Sequence, residues 1–185
     1  MLNLAIFFVV VFSLGEIALL LRRRSGDTTN RDQSTLRLFW IILPVSISAA
    51  FQAQRFFPVW MLPKTEAVMA FGAVLAFLGL ILRWYAIYRL GRWFTVDVAL
   101  SSEQVLLREG PYRFIRHPSY IGALLTLMGV GVLMGNMGAI ALMMLPALAA
   151  FLYRIRVEER ALAQVFRMQW SDYCVQSWRL VPGVY

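Results

Sequence analysis

An all-α, polytopic membrane protein with about five transmembrane helices is the fold class this sequence predicts, and three observations carry it. Hydrophobic residues make up 60% of the 185 residues and charged residues only 15%, where a water-soluble domain carries roughly 25% charged residues. The apolar residues fall into runs of about twenty, the length a helix needs to cross ~30 Å of hydrocarbon. Between and after those runs lie short polar islands, and the arginines gather there.

The first span is 2–21, apolar except for Asn3, Ser13 and Glu16, and it stops at Arg22-Arg23-Arg24. A polar loop leads to a second span over 36–57, after which Pro58 and Pro63 break the helix. The third span, 66–90, starts at Thr65-Glu66 and ends near Gly91. Residues 91–119 form the longest polar connection. From Tyr120 to Tyr153 the chain is apolar for too long to be one span, and Gly135-Asn136-Met137-Gly138 at its centre predicts a tight turn. The last two spans, 120–134 and 139–155, are thus a helical hairpin. Residues 160–178 mix Leu162, Val165, Phe166, Trp170, Tyr173 and Trp178 with polar residues at near-helical spacing, which predicts a cytoplasmic C-terminal amphipathic helix at the interface. The expectation is a single membrane-embedded domain over 1–185.

Charge sets the expected topology. Loop 22–37, the 89–116 connection and the segment from 154 onward hold five arginines each, while 58–65 has only Lys64 and the Gly135–Gly138 turn none. The positive-inside rule then places the N-terminus outside, with both polar islands and the C-terminus in the cytoplasm. The formal charge of +8 does not predict nucleic-acid binding, because the cations sit at span ends rather than on a soluble face. Membrane lipids are the expected neighbours. With one cysteine, Cys174, and one histidine, His117, no internal disulfide forms and no metal site is expected. The N-terminal run lacks a basic leader and a cleavage signal, and reads as a retained span.

Two islands could carry chemistry. The first is Gly110-Pro111-Tyr112-Arg113-Phe114-Ile115-Arg116-His117-Pro118-Ser119-Tyr120. Pro118 keeps His117 out of the helical conformation and suits the first turn of a helix. The N–H groups of Ser119 and Tyr120 would then face an anion; the plainer reading is a basic helix end anchored to headgroups. The second island is Arg154-Ile155-Arg156-Val157-Glu158-Glu159-Arg160. Arg154 and Glu158 share a helix face and Glu159 points about a hundred degrees away. Alone, that pair reads as a surface ion pair. Within the spans, Arg83 is expected to snorkel to the interface, with the bundle interior as the alternative. Glu16, Gln52 and Gln54 are expected to bond neighbouring helices, and Gly122, Gly129 and Gly131 to allow close helix approach.

Taken together, Gln104-Val105-Leu106-Leu107, Gly110-Pro111-Tyr112, Arg116-His117-Pro118-Ser119-Tyr120-Ile121-Gly122 and Arg154-Ile155-Arg156-Val157-Glu158-Glu159 resemble the isoprenylcysteine carboxyl methyltransferase family. Tyr173 and Pro182 are similar to its C-terminal pattern. The resemblance implies S-adenosylmethionine as methyl donor, held by a cofactor-binding half over about 91–185. By position it implies that Gln104, Val105, Leu106, Leu107, Tyr112, His117, Pro118, Ser119, Tyr120 and Glu158 line the cofactor. Arg154 would face the methyl acceptor, a lipophilic small molecule or prenylated substrate, most simply the carboxylate of a prenylated cysteine. Two other readings stay open: a membrane NADPH-dependent sterol-type reductase, and a non-catalytic membrane interaction protein.

Overall fold

The computed structural model describes residues 2–21, 33–94 and 105–185, with the side chains of 33–39, Gln54 and Arg92 outside that description. Among the described residues six α-helices run in order: α1 Leu2–Leu21, α2 Gln33–Phe56, α3 Glu66–Leu90, α4 Pro118–Leu133, α5 Met137–Phe166 and α6 Met168–Gln176. By length and composition α1, α3 and α5 can each cross a membrane, while α4 and the apolar part of α2, Trp40–Ala53, are shorter.

The helix boundaries follow local chemistry. The Thr65 side chain caps α3 by accepting from the Val68 N–H at 3.3 Å, and Gly91 closes the helix in the left-handed region. The hairpin turn is as expected. Gly135 takes φ +70°, and the Asn136 side chain caps α5 through the Ala139 N–H at 3.2 Å. Asn136 is fully buried, and its amide also donates to the Phe57 carbonyl at 2.8 Å. The Leu62 N–H donates to the Gly135 carbonyl at 2.8 Å. The hairpin turn and the α2–α3 loop are therefore sewn together at one end of the bundle, and the two polar islands lie at the other.

α3 packs chiefly on α4, and α2 on α5. Helices in lipid gain no hydrophobic energy by meeting, so they associate where small residues let backbones approach. Gly72, Ala76 and Gly79 on α3 face Gly122, Thr126 and Gly129 on α4. A Cβ on Gly79 would sit 2.5 Å from the Thr126 nitrogen, and one on Gly129 2.4 Å from the Ala76 nitrogen. The Thr126 hydroxyl is kept satisfied by the Gly122 carbonyl at 2.9 Å. Gly131 likewise lets α5 approach at Ile140. The three glycines act as expected.

Three expectations are corrected. The fifth helix does not stop at 155: α5 runs 30 residues, about 45 Å, so it outruns the hydrocarbon and carries Arg154–Glu159 on its far turns. Charge ends a membrane span but not a helix, and Arg, Glu, Leu, Ala and Gln are all good helix formers. The expected amphipathic helix over 160–178 is divided at Arg167, whose φ of +44° turns α6 so that Trp170 and Tyr173 are buried. Gln52 is exposed rather than bonded to a neighbour, and the Gln54 side chain lies outside the described residues.

Gly79→Leu is expected to lower stability by about 3 kcal/mol or more, because the backbones cannot part without losing the whole crossing. Phe77→Leu, on the exposed face of the same helix, is expected to change little. Unfolding by denaturing detergent, followed by far-UV circular dichroism, compares the two.

Candidate functional site

The site end is organised by Pro118. His117 caps α4 in a non-helical conformation, φ −124° and ψ 56°, as the proline demands. The extended segment before it pairs with the chain after α6. The Trp178 N–H donates to the Phe114 carbonyl at 2.9 Å, the Arg116 N–H to Trp178 at 2.7 Å and the His117 N–H to Arg179 at 3.2 Å. The first island and the C-terminal segment thus form one short parallel bridge.

Glu159 is the centre beneath that bridge. Its Oε1 accepts from Arg116 Nε at 2.9 Å and its Oε2 from Arg179 Nε at 2.7 Å, with His117 Nε2 at 3.4 Å. The same Arg116 donates to the Ser177 hydroxyl at 3.2 Å, to the Cys174 carbonyl at 3.3 Å and to the Ser177 carbonyl. A carboxylate with only 9% of its side chain exposed is stable as an anion because opposite charges surround it. The bond to Glu159 also holds the Arg179 guanidinium more firmly protonated than usual.

Glu158, one residue on, faces a different way and is one-third exposed. Its Oε2 accepts from the Tyr120 hydroxyl at 2.8 Å, and that hydroxyl in turn accepts from Arg154 Nε at 2.9 Å. His117 stacks flat on Tyr120, ring centroids 5.4 Å apart, with its Nδ1 3.7 Å from Glu158 Oε2. Phe151 also packs, tilted, on the tyrosine ring, centroids 4.8 Å apart. Among the described residues, Glu158 Oε1 accepts no hydrogen bond. A half-open carboxylate beside a buried, hydrogen-bonded guanidinium can bind hydroxyl or ammonium groups on one side and an anion on the other.

The structure therefore brings His117, Tyr120, Arg154 and Glu158 into one cluster. Pro118 and Ser119 are buried next to it, and the Ser119 carbonyl accepts from Arg83 Nη1 at 3.2 Å. The expected row of open N–H donors at the α4 start is shortened: the Tyr120 and Ile121 N–H groups donate to the His117 carbonyl, Pro118 has none, and of the expected pair only the Ser119 N–H is not turned to that carbonyl. Tyr112 serves as a joint. Its hydroxyl donates to the Ala86 carbonyl at 3.3 Å and its carbonyl accepts from the Tyr173 hydroxyl at 2.5 Å. Burial pushes the Tyr112 phenol up and the Tyr173 phenol up to about 12, so both stay protonated donors near neutral pH. Val105 is exposed, and Leu106 and Leu107 are half-buried outside any helix. Among the described residues no polar contact ties them to the cluster; the adjacent Arg108 reaches α6, at the Gln169 carbonyl and over the Tyr173 ring. Gln104 lies outside the described residues.

Sequence reasoning missed Glu159, Arg116, Arg179 and Ser177 as a group. The available signal was the adjacent glutamates: with Glu158 on the Arg154 face, Glu159 had to find a countercharge elsewhere. For Arg83 the alternative holds: it does not snorkel but is buried in the bundle, bonded to Glu16, which bonds a neighbouring helix as expected.

A model of the isoprenylcysteine carboxyl methyltransferase (ICMT) family matches residues 72–164, 93 of the 185 residues. The chain belongs to the isoprenylcysteine carboxyl methyltransferase family. It is 34% identical over 119 residues to protein-S-isoprenylcysteine O-methyltransferase A of Arabidopsis thaliana, covering 63% of this chain and 60% of that one. Isoform B of the same plant is 39% identical over 117 residues, 62% and 59% of the two chains. The Saccharomyces cerevisiae protein-S-isoprenylcysteine O-methyltransferase is 31% identical over 111 residues, 59% and 46%. A solved structure of the eukaryotic intramembrane Ras methyltransferase ICMT superposes with a TM-score of 0.66 at 29% identity, over 83% of this chain and 54% of that one. The chain thus spans less than two thirds of the length of each of these family members. As a family member with helices of membrane-crossing length, it is an integral, multi-pass membrane protein.

Removing Glu159 leaves Arg116 buried without its countercharge. Glu159→Ala is therefore expected to lower stability by about 3 kcal/mol. Glu158→Gln, at a one-third exposed position, is expected to change it by less than about 1 kcal/mol. Detergent-denaturation midpoints measured side by side check the contrast.

Proposed function

We propose that this chain transfers a methyl group from S-adenosylmethionine to the carboxylate of a lipophilic acceptor, a prenylated cysteine or a similar isoprenoid-type small molecule. Membership of the family supports methyl transfer over the reductase and anchor readings. The observation that carries the proposal is the Arg154–Tyr120–Glu158 chain of hydrogen bonds at the extended end of α5. It sets an anion-binding guanidinium and a half-open carboxylate on either side of one hydroxyl.

The donor, when bound, supplies a methyl group made electrophilic by a sulfonium. Glu158 suits its ribose hydroxyls or its ammonium, since Oε1 is open and Oε2 is already fixed by Tyr120. Arg154 suits the acceptor carboxylate. That carboxylate is ionised near neutral pH and needs no general base, so the lone histidine has no proton to move. In the transfer, a carboxylate oxygen forms a bond to the methyl carbon as the carbon–sulfur bond breaks, and the electron pair leaves on sulfur. Anion and cation vanish together, so the transition state holds less charge than the reactants and gains from exclusion of water. Arg154 must then align the carboxylate more than neutralise it, because a stronger hold on the ground state would slow the step. Its Nε, tied to the Tyr120 hydroxyl, gives that alignment, and Tyr120 is itself packed against His117 and Phe151. Alignment of two bound reactants supplies most of the rate.

The same reading places the site and the C-terminus in the cytoplasm and the N-terminus outside. The arginine counts of 22–37, 89–116 and the segment from 154 onward, against Lys64 alone in 58–65, support it. The prenyl tail then lies among the helices in the bilayer, with its carboxylate at the level of Arg154.

Arg154→Ala is expected to lower kcat by about a hundredfold while cofactor affinity stays within about threefold. Glu158→Ala is expected to weaken S-adenosylhomocysteine binding by about tenfold or more, the loss of one charge-assisted hydrogen bond. Titration calorimetry in detergent and initial-rate kinetics read the two constants. Equal losses in both variants would contradict the division of roles.

A further inference from the structure

The first span holds a charge that the proposed reaction does not use. Glu16, on α1, accepts from Arg83 Nε at 2.6 Å and from Arg83 Nη2 at 2.7 Å, a two-point ion pair between α1 and α3. Only 7% of the Arg83 side chain and 14% of the Glu16 side chain are exposed. The guanidinium lies over the Phe12 ring, 5.8 Å from its centroid. Its remaining nitrogen, Nη1, donates to the Ser119 carbonyl. Ser119 is the residue between Pro118 and Tyr120.

An ion pair is a poor way to glue two apolar helices. Taking both charges out of water is costly, and apolar side chains of similar volume hold such positions as well or better. Nor is the pair needed for contact. Gly15 already lets α1 approach α3 so closely that a Cβ there would meet Trp84 at 2.8 Å, and Gly79 and Gly122 bring α3 against α4. Those glycines set separation. They do not set how the first turn of α4 is rotated, and that turn carries Tyr120. What the guanidinium adds is a donor aimed at one backbone carbonyl, with its orientation fixed by both oxygens of Glu16. An ionisable pair inside a membrane bundle commonly serves the site beside it.

We propose that Glu16 and Arg83 are positioning residues for the methyl-transfer site. They fix the first turn of α4 through the Ser119 carbonyl, and so hold the Tyr120 hydroxyl between Arg154 and Glu158. This rests on the methyl-transfer reading above. It makes α1, which lies outside the matched residues 72–164, a working part of the site.

The test replaces the pair with apolar residues of similar size, Glu16→Met with Arg83→Leu, in the full chain in detergent. Three readouts are compared with the unaltered chain: denaturation midpoint, steady-state kinetics, and amide hydrogen exchange of the peptide spanning 118–122. The expected result is a retained fold and faster exchange in 118–122. With it kcat falls about ten- to a hundredfold, while KM for donor and acceptor stays within about threefold. Unchanged exchange in 118–122, or an unchanged kcat, overturns the proposal, because the pair would then be packing alone. Should the double variant fail to fold, Glu16→Gln, which keeps the shape and removes the charge, is read by the same two criteria. Absence of methyl transfer by the unaltered chain would count against the proposed function only. The exchange measurement would still decide whether the pair holds the first turn of α4.

Discussion

Glu159 is the interaction on which the site end depends. One buried carboxylate, held by Arg116 and Arg179 with His117 beside it, joins three stretches of chain distant in sequence. These are the island before α4, the far turns of α5 and the segment after α6. Arg116, buried beside the carboxylate, would be costly to bury alone, and the carboxylate more so; together with the partly exposed Arg179 they neutralise one another. The parallel bridge between Phe114–His117 and Trp178–Arg179 then follows, because both strands are already tied to the same group. Lipid packing organises the rest of the bundle through small residues, but it ends where α5 leaves the hydrocarbon. From there on, charge takes over.

Adjacent glutamates divide the labour cleanly. Glu159 is consumed by structure, and Glu158, a hundred degrees around the helix, is left half-open. This explains why a basic membrane edge carries two acids. The same helix brings Arg154 one turn below Glu158, and the Tyr120 hydroxyl spans the two. A relay of this kind fixes direction as well as distance, since the hydroxyl has one proton to give and must accept from the arginine. Ring contacts with His117 and Phe151 leave the Tyr120 hydroxyl few alternatives. The lone histidine, which invites a catalytic reading by its rarity, is better explained as a ring stacked on Tyr120 and a partner of Glu159.

Much of the fold was legible because membrane helices announce themselves by length and their turns by composition. Thr65, Gly91 and the Gly135–Gly138 turn each mark a boundary that the structure keeps. The end of α5 was not legible, since the residues that close a span, Arg154 to Arg160, continue a helix perfectly well. The break at Arg167 carries no sequence signal at all: a non-glycine residue in the left-handed region is set by what must be buried after it, here Trp170 and Tyr173. At the site, His117, Tyr120, Arg154 and Glu158 were legible through resemblance and do converge. Which arginine pairs with which acid was not, because with seventeen arginines the choice depends on helix rotation and on chain returning from α6. Arg83 shows the same limit. Hydropathy gives its depth in the bilayer but not the face it turns to, and Glu16 on another helix decides that.

The most direct measurement is transfer of a labelled methyl group by the purified chain in lipid vesicles. The donor is S-adenosylmethionine, and the acceptors are a prenylated cysteine with a free carboxylate and the same molecule with that carboxylate amidated. The expected result is label on the free acid only, released as methanol by mild alkali as a methyl ester must be. Label on the amide, or alkali-stable label on either acceptor, would contradict transfer to a carboxylate aligned by Arg154. So would the absence of any S-adenosylmethionine binding by a folded chain.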